Sequence, residues 1–213
     1  MDVQRTPSAV LVRTPAKLNL FLEVLGQRAD GFHELETLMT PVNLYDLLWF
    51  APADAGEIEL TCERFPSVER SGEEASRLPE GSDNLVVRAV RLLAERAGIR
   101  ASARMKLWKR IPVAAGMAGG SSDAAAALVA ANAGWRLDWP REQLLPLAAE
   151  LGSDVPFFLG RGSAVCRGRG ERIEPASGLG ILHFVVVAPP AGLSTAAVFR
   201  ACRPAEHPQP LAP

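Results

Sequence analysis

The stretch of this sequence with the clearest chemistry is Pro112-Val113-Ala114-Ala115-Gly116-Met117-Ala118-Gly119-Gly120-Ser121-Ser122, followed by Asp123-Ala124-Ala125. A strand pattern runs into a loop of small residues, and the loop runs into an alanine-rich helix. The first turn of such a helix carries N–H groups without intrahelical partners and the positive end of the helix dipole. Gly116, Gly119 and Gly120 allow positive φ and let the backbone close on a ligand with no side chain between. Ser121 and Ser122 add hydroxyls for a phosphate oxygen or a cation. The chemistry expected of this stretch is the holding of an anion, a phosphate above all.

Three other readings use the same residues. GGSSD also makes an ordinary capped helix start, since Ser and Asp are good caps. GMAGG overlaps a dinucleotide fingerprint, but the strand before it carries Lys106, Lys109 and Arg110, unlike a buried parallel strand. A Walker A loop needs Lys and Ser or Thr after its last glycine, and no Lys follows here.

The elements that must position this loop follow from periodicity. Residues 8–13 and 16–26 read as strands broken at Thr14-Pro15, with Leu18, Leu20, Leu22 and Val24 on one face and Lys17, Asn19, Phe21 and Glu23 on the other. QRADGFHE is a turn centred on Asp30-Gly31. Short strands are expected at 45–51 and 57–62, then a polar surface excursion from Glu63 to Ser82. Ser82 or Asp83 caps a helix over 84–97 that Gly98 ends. A strand over 103–110 leads into the loop and a helix over 121–133. Another helix starts at Pro140, with a kink or late start expected from Pro146. Strands follow at 163–167 and, as an apolar run, at 181–187.

The whole chain has 213 residues, 48% apolar and 22% charged, with a net charge of -1. That balance gives no general attraction for nucleic acid or an anionic membrane, so anion binding must be local. Cys62, Cys166 and Cys202 are odd in number and form no CxxC pair, which speaks against a disulfide framework or zinc site and for a reducing cytoplasm. They read as small buried apolar side chains. No signal core and no membrane-length apolar run is present in the sequence. Residues 203–213 carry four prolines and no apolar pattern and are expected to be a disordered tail.

Together with the loop, the runs PAKLNLFLEVLGQRADGFHELET near the start and LGSDVPFFL at 151–159 resemble the GHMP kinase superfamily. Within it they resemble the members that phosphorylate a cytidine-diphosphate-linked methylerythritol in the non-mevalonate isoprenoid route. The resemblance implies an α+β GHMP kinase fold. Its amino-terminal, ATP-binding domain over 1–158 would be ribosomal-protein-S5-domain-2-like. A shortened ferredoxin-like carboxyl-terminal domain would occupy 159–202. It implies ATP and Mg2+ as cofactors, a small nucleotide-linked sugar alcohol as partner, no nucleic acid or membrane partner, and a monomer or weak homodimer. Residue by residue, it implies that Pro112 to Ser122 hold the triphosphate and that Lys17 and Asp154 are the catalytic pair. Asn19 would lie near the sugar alcohol, and Phe32 and His33 would hold the cytosine base. Phe199 would sandwich that base from the other side with Thr195 nearby, and Asn84 and Lys109 would line the adenine pocket.

These roles make physical sense. Phosphoryl transfer needs positioning, charge neutralisation and a proton acceptor. Asp154 can take the alcohol proton, and Lys17 can neutralise charge developing on the moving group. The competing reading of Asp154 is a cap on the short VPFFL helix; that of Lys17 is a solvated strand residue. The arginines at 161, 167, 169 and 172 read as a solvated hairpin offset by Glu171 and Glu174. Ser122 is the candidate ligand for Mg2+, without a carboxylate cage around it. One departure from the family is the lack of its third glycine-rich stretch, of GTGA type. That absence raises an alternative, an inactive nucleotide-binding remnant, and leads one to expect exposed apolar surface and an unpaired sheet edge.

Overall fold

A computed structural model describes residues 1–54, 57–65, 81–187 and 195–211, with backbone alone at 195–196. Among the described residues seven strands form one sheet: β1 (Asp2–Arg5), β2 (Val10–Gln27), β3 (His33–Pro52), β4 (Ile58–Arg64), β5 (Ala103–Lys109), β6 (Ala164–Gly168) and β7 (Arg172–Pro175). The main path is β1-β2-β3-β5-β4, and β6 joins the far end of β3 and carries β7. All pairs are antiparallel except β4 with β5. Among the described residues five α-helices accompany the sheet: α1 (Leu85–Ala97), α2 (Gly119–Gly134), α3 (Arg141–Leu151), α4 (Val155–Phe158) and α5 (Thr195–Ala201).

The amino-terminal strands are longer than the sequence suggests. Thr14-Pro15 does not break β2, because the register shift lies between Pro15 and Ala16, where β3 carries the extra residues: Pro15 pairs with Tyr45 and Ala16 with Val42. Two further shifts, between Asn19 and Phe21 and between Val24 and Gly26, put the extra residue on β2. A bulge reverses the alternation of faces. Lys17 and Asn19 therefore share a face with Leu22, and the simple even-against-odd expectation fails beyond Asn19. The expected strand at 45–51 is the end of β3, while β1 and the first half of β3 lack a strong alternating pattern and emerge only through pairing.

The helices follow their local signals more closely. Asn84, rather than Ser82 or Asp83, caps α1, its Oδ1 accepting the Val86 N–H at 2.8 Å. Gly98 closes α1 in the left-handed conformation at φ 64°. The apolar face of α1, including Val86, Val90 and Leu93, enters the core. α2 is buried nearly all round, from Ala124 to Leu128 and again at Ala130, Ala131 and Ala133, since alanine lets backbones approach. At its end Gly134 is so close to Phe50 that a Cβ there would lie 2.5 Å from the ring. α3 starts at Arg141 and runs through Pro146 to Leu151, so the late start is not found.

Other expectations change in the second half. β6 pairs with β3 from Leu35–Gly168 to Met39–Ala164, so one sheet crosses the boundary expected at 158. The apolar run 181–187 forms no strand; a strand needs a ladder, and none of the described strands pairs with it. Ile181 and Val185 are 90% and 94% exposed. The described part of the proline-rich end has no helix or strand, yet it is tied down: Gln209 N–H donates to Glu23 at 3.4 Å and Leu211 N–H to Glu36. The expected surface excursion lies, over 66–80, outside the described residues. No helix is long and apolar enough to cross a membrane among the described residues.

Candidate active site

A cleft of about 890 Å³ opens beside the middle of β2 and the first part of β3, between the starts of α1 and α2 and the turn joining β6 to β7. It is lined by Pro112 to Ser121, by Lys17 and Asn19 from β2, by Phe32 and His33 from the first hairpin turn, and by Asn84, Lys109, Asp154 and Phe199. Residues separated by more than a hundred positions thus meet in one space. Of the side chains expected there, Ser122 is not on its wall and Thr195, which opens α5, lies outside the described side chains.

The loop owes its shape to backbone conformation and to what lies beneath it. Ala114, Gly116 and Ala118 take positive φ, at 55°, 72° and 53°, a cost for the two alanines. Gly119 and Gly120 do not; they are the first turn of α2. Gly119 is needed instead for close approach, because a Cβ there would stand 3.0 Å from Ile111 Cγ2 and 3.1 Å from Lys109 Nζ. Ala16, Ile111 and Met117 form a small apolar cluster under the loop. The Lys17 N–H donates to the Met117 carbonyl at 3.2 Å, so β2 and the loop are joined at the position of Lys17.

The Ser122 hydroxyl faces away from the cleft. Its Oγ donates to the Pro15 carbonyl at 2.6 Å, shares a 2.5 Å bond with Thr14 Oγ1, and is fully buried. It fastens α2 to β2, which corrects its assignment as a cation ligand. No group of three His, Cys, Asp or Glu side chains suited to a metal occurs among the described residues.

Lys17 is buried, donates to Asn19 Oδ1, and has its Nζ 3.7 Å from Asp154 Oδ2. Asn19 in turn donates to Thr37 Oγ1 at 2.7 Å, which fixes its amide. Asp154 stands at the cap position of α4 but makes no side-chain cap bond; its carboxylate turns to Lys17 and remains 31% exposed. That geometry decides against the capping reading. Under this pair Cys166 is buried, and burial, with Asp154 adding, pushes its thiol up to about 12.

Lys109 lines the cleft, but its ammonium is held by two carboxylates, Asp46 and Asp123, the latter at 2.6 Å. Burial alone would lower the Lys109 pKa; Asp123 and Asp46 more than reverse this and raise it. Asp46 also accepts the N–H groups of Arg110 and Ile111 at 2.6 and 2.9 Å. One carboxylate therefore anchors the entry of the loop, while Asp123 anchors its exit in α2. Burial raises Asp123 to about 7, Lys109 opposing and Asp46 adding, and its Oδ1 is buried without a partner. Neither acid was expected to matter. The available signal was Asp46 as a lone acid inside an apolar run and Asp123 as an acid in the first turn of an anion cradle.

At the other end of the cleft, Phe32 is 51% exposed at the tip of the β2–β3 turn, which Asp30 shapes by accepting the Phe32 N–H at 3.1 Å. His33 and Phe199 face each other with ring centroids 5.4 Å apart and tilted by 31°. The cleft thus has a small-residue anion cradle at one end, an aromatic rim at the other, and a lysine–carboxylate pair between them. Such an arrangement suits the transfer of a phosphoryl group between two bound molecules.

The fold is that of the GHMP kinases, and residues 84–162 match the family model described as the GHMP kinases N terminal domain. Residues 84–162 thus carry the amino-terminal domain of the GHMP kinases. It is 48% identical over 194 residues to the 4-diphosphocytidyl-2-C-methyl-D-erythritol kinase of Pelotomaculum thermopropionicum, covering 91% of this chain and 64% of that one. To the enzyme of that name from Rhodococcus jostii it is 46% identical, covering 91% and 59%. The crystal structure of a 4-(cytidine 5'-diphospho)-2C-methyl-D-erythritol kinase superposes with a TM-score of 0.67 at 37% identity, over 91% of this chain and 65% of the other. Mevalonate kinase of Methanococcus jannaschii shares the fold, with a TM-score of 0.59 at 14% identity, over 82% of this chain and 57% of that one. The chain spans about 60% of the length of the curated relatives it matches.

Proposed function

We propose that this chain binds ATP at the loop 112–121 and transfers its terminal phosphate to the 2-hydroxyl of 4-diphosphocytidyl-2-C-methyl-D-erythritol. The observation that carries the reading is the Lys17–Asp154 pair, 3.7 Å apart and facing the cleft between the loop and the aromatic rim. In this reading the acceptor oxygen forms a bond to the γ-phosphorus as the bond from that phosphorus to the β-bridging oxygen breaks. ADP leaves with the electron pair, and the hydroxyl proton passes to Asp154. Lys17 neutralises charge on the moving phosphoryl group, and the N–H groups at the start of α2 hold the phosphates. Asn84 and the wall formed by Lys109 border the adenine. Phe32, His33 and Phe199 hold the cytosine base, and Asn19 orients the sugar alcohol beside Lys17. Mg2+ enters this reading on the ATP phosphates, and no step is assigned to it.

The test supplies ATP, magnesium and the cytidine-diphosphate-linked methylerythritol to the folded chain and follows ADP release together with the phosphorus spectrum of the product. ADP with a new phosphomonoester signal is expected. A folded chain that ATP stabilises against heat but that releases no ADP would be a nucleotide-binding chain without transfer activity.

A further inference from the structure

The hairpin of β6 and β7 carries three arginines with different surroundings, Arg167 on β6, Arg169 in the turn and Arg172 on β7. Arg167 is paired with Glu36 at 2.6 Å and Glu174 at 2.5 Å, and Arg172 with Glu34 at 2.9 Å. The expected offset by Glu171 and Glu174 holds only for Glu174 with Arg167; the other partners, Glu36 and Glu34, come from β3. Arg169 makes no ion pair among the described residues, although it is partly buried. Asp30, already paired with Arg28, feels its charge without closing to ion-pair distance. The Arg169 guanidinium lies over Phe32, its central carbon 4.8 Å from the ring centroid, and lines the cleft.

The turn is built to hold it there. Gly168 and Gly170 take φ of +77° and +112°, which side chains rarely adopt, and Glu171 accepts the Arg169 N–H at 2.6 Å. Gly170 lies against the catalytic end of the cleft, since a Cβ on it would stand 3.8 Å from Asp154 Oδ1. Arg169 thus lies between the aromatic rim and the Lys17–Asp154 pair.

We infer that Arg169 binds the diphosphate of the nucleotide-linked acceptor, spanning the gap between the base on Phe32 and the hydroxyl at Asp154. The inference rests on the acceptor reading given above. In such a molecule the diphosphate lies between base and alcohol, and so must pass the one cationic side chain that this turn presents without a carboxylate. A guanidinium matches phosphate oxygens with two parallel N–H donors and stacks on an aromatic face while doing so.

The experiment measures the affinity of the 213-residue chain for cytidine and for cytidine 5′-diphosphate by titration calorimetry, with the phosphate loop filled by a non-hydrolysable ATP analogue. R169M is expected to weaken the diphosphate about tenfold, the scale of one lost charged hydrogen bond, and to leave cytidine within about twofold. R169K restores part of the loss, and the salt dependence of diphosphate binding falls in R169M. Equal losses for both ligands would overturn the inference, because Arg169 would then serve only the Phe32 ring. Unchanged diphosphate binding in R169M overturns it as well, while leaving the acceptor reading intact. A wild-type chain that binds neither ligand overturns the acceptor reading, and the inference falls with it.

Discussion

Asp154 occupies a helix cap position yet bonds no helix N–H, and its carboxylate points to Lys17. A capping acid would be expected to contribute to stability, a proton acceptor to turnover. Asp154→Asn is therefore expected to lower turnover by about 10²–10⁴-fold while leaving the thermal shift with ATP unchanged. A variant with wild-type turnover removes the residue from the proton-accepting role. Ser122 predicts the opposite separation. Its buried hydroxyl bonds Pro15 and Thr14, so Ser122→Ala should cost about 1–2 kcal/mol of stability without altering the magnesium dependence of ADP release. A raised magnesium requirement with unchanged stability would return Ser122 to the metal.

At the scale of elements, the phosphate loop is held at both ends by one buried cation. Asp46 on β3 receives Lys109 and two loop N–H groups, and Asp123 on α2 receives Lys109 from the other side. Removing one partner of a buried pair costs about 3–5 kcal/mol, because the other charge stays buried. Asp46→Asn is expected to lower stability on that scale and to raise the apparent KM for ATP more than that for the acceptor, since the loop entry is what moves. Equal changes in both KM values would show that the clamp supports the fold at large and not the loop. The bulges in β2 work at the same scale, since they bring Lys17, Asn19 and Leu22 to one wall.

For the whole molecule, the buried acid gives stability a pH dependence with a definite sign. Burial moves Asp123 from 3.8 to about 7. The folded chain keeps a proton there that the unfolded chain gives up, so this contribution is complete below the unfolded value and is lost as pH rises through about 7. Lys109 and Asp46, which face the same carboxylate, oppose and reinforce the shift respectively. Urea midpoints of wild type and Asp123→Asn are expected to diverge with pH: the advantage of wild type should fall from about pH 4 to about pH 7 and level off above. Parallel curves across that range would exclude Asp123 as the titrating group. The exposed apolar run 181–187 belongs to this scale as well, since no strand among the described residues pairs with it.

Much of the lining of the candidate cleft was legible without coordinates because its signals are local. The glycine and serine spacing of the loop, the Asp30-Gly31 turn presenting Phe32, and the alanine-rich start of α2 each depend on neighbours a few residues away. What local pattern could not set was direction and partnership across the chain. Ser122 turns to Thr14, 108 residues away, and Lys109 to Asp46, 63 residues away, and no spacing rule predicts either. Arg169 reads like Arg167 and Arg172 in the sequence and differs only because packing gave those two carboxylates and gave it an aromatic ring. The sequence by itself determined which small and polar groups the candidate loop contains and where most helices and turns begin. Tertiary structure decided which of those groups face the cleft, because a bulge or a buried countercharge redirects a side chain at little local cost and leaves no trace in residue order.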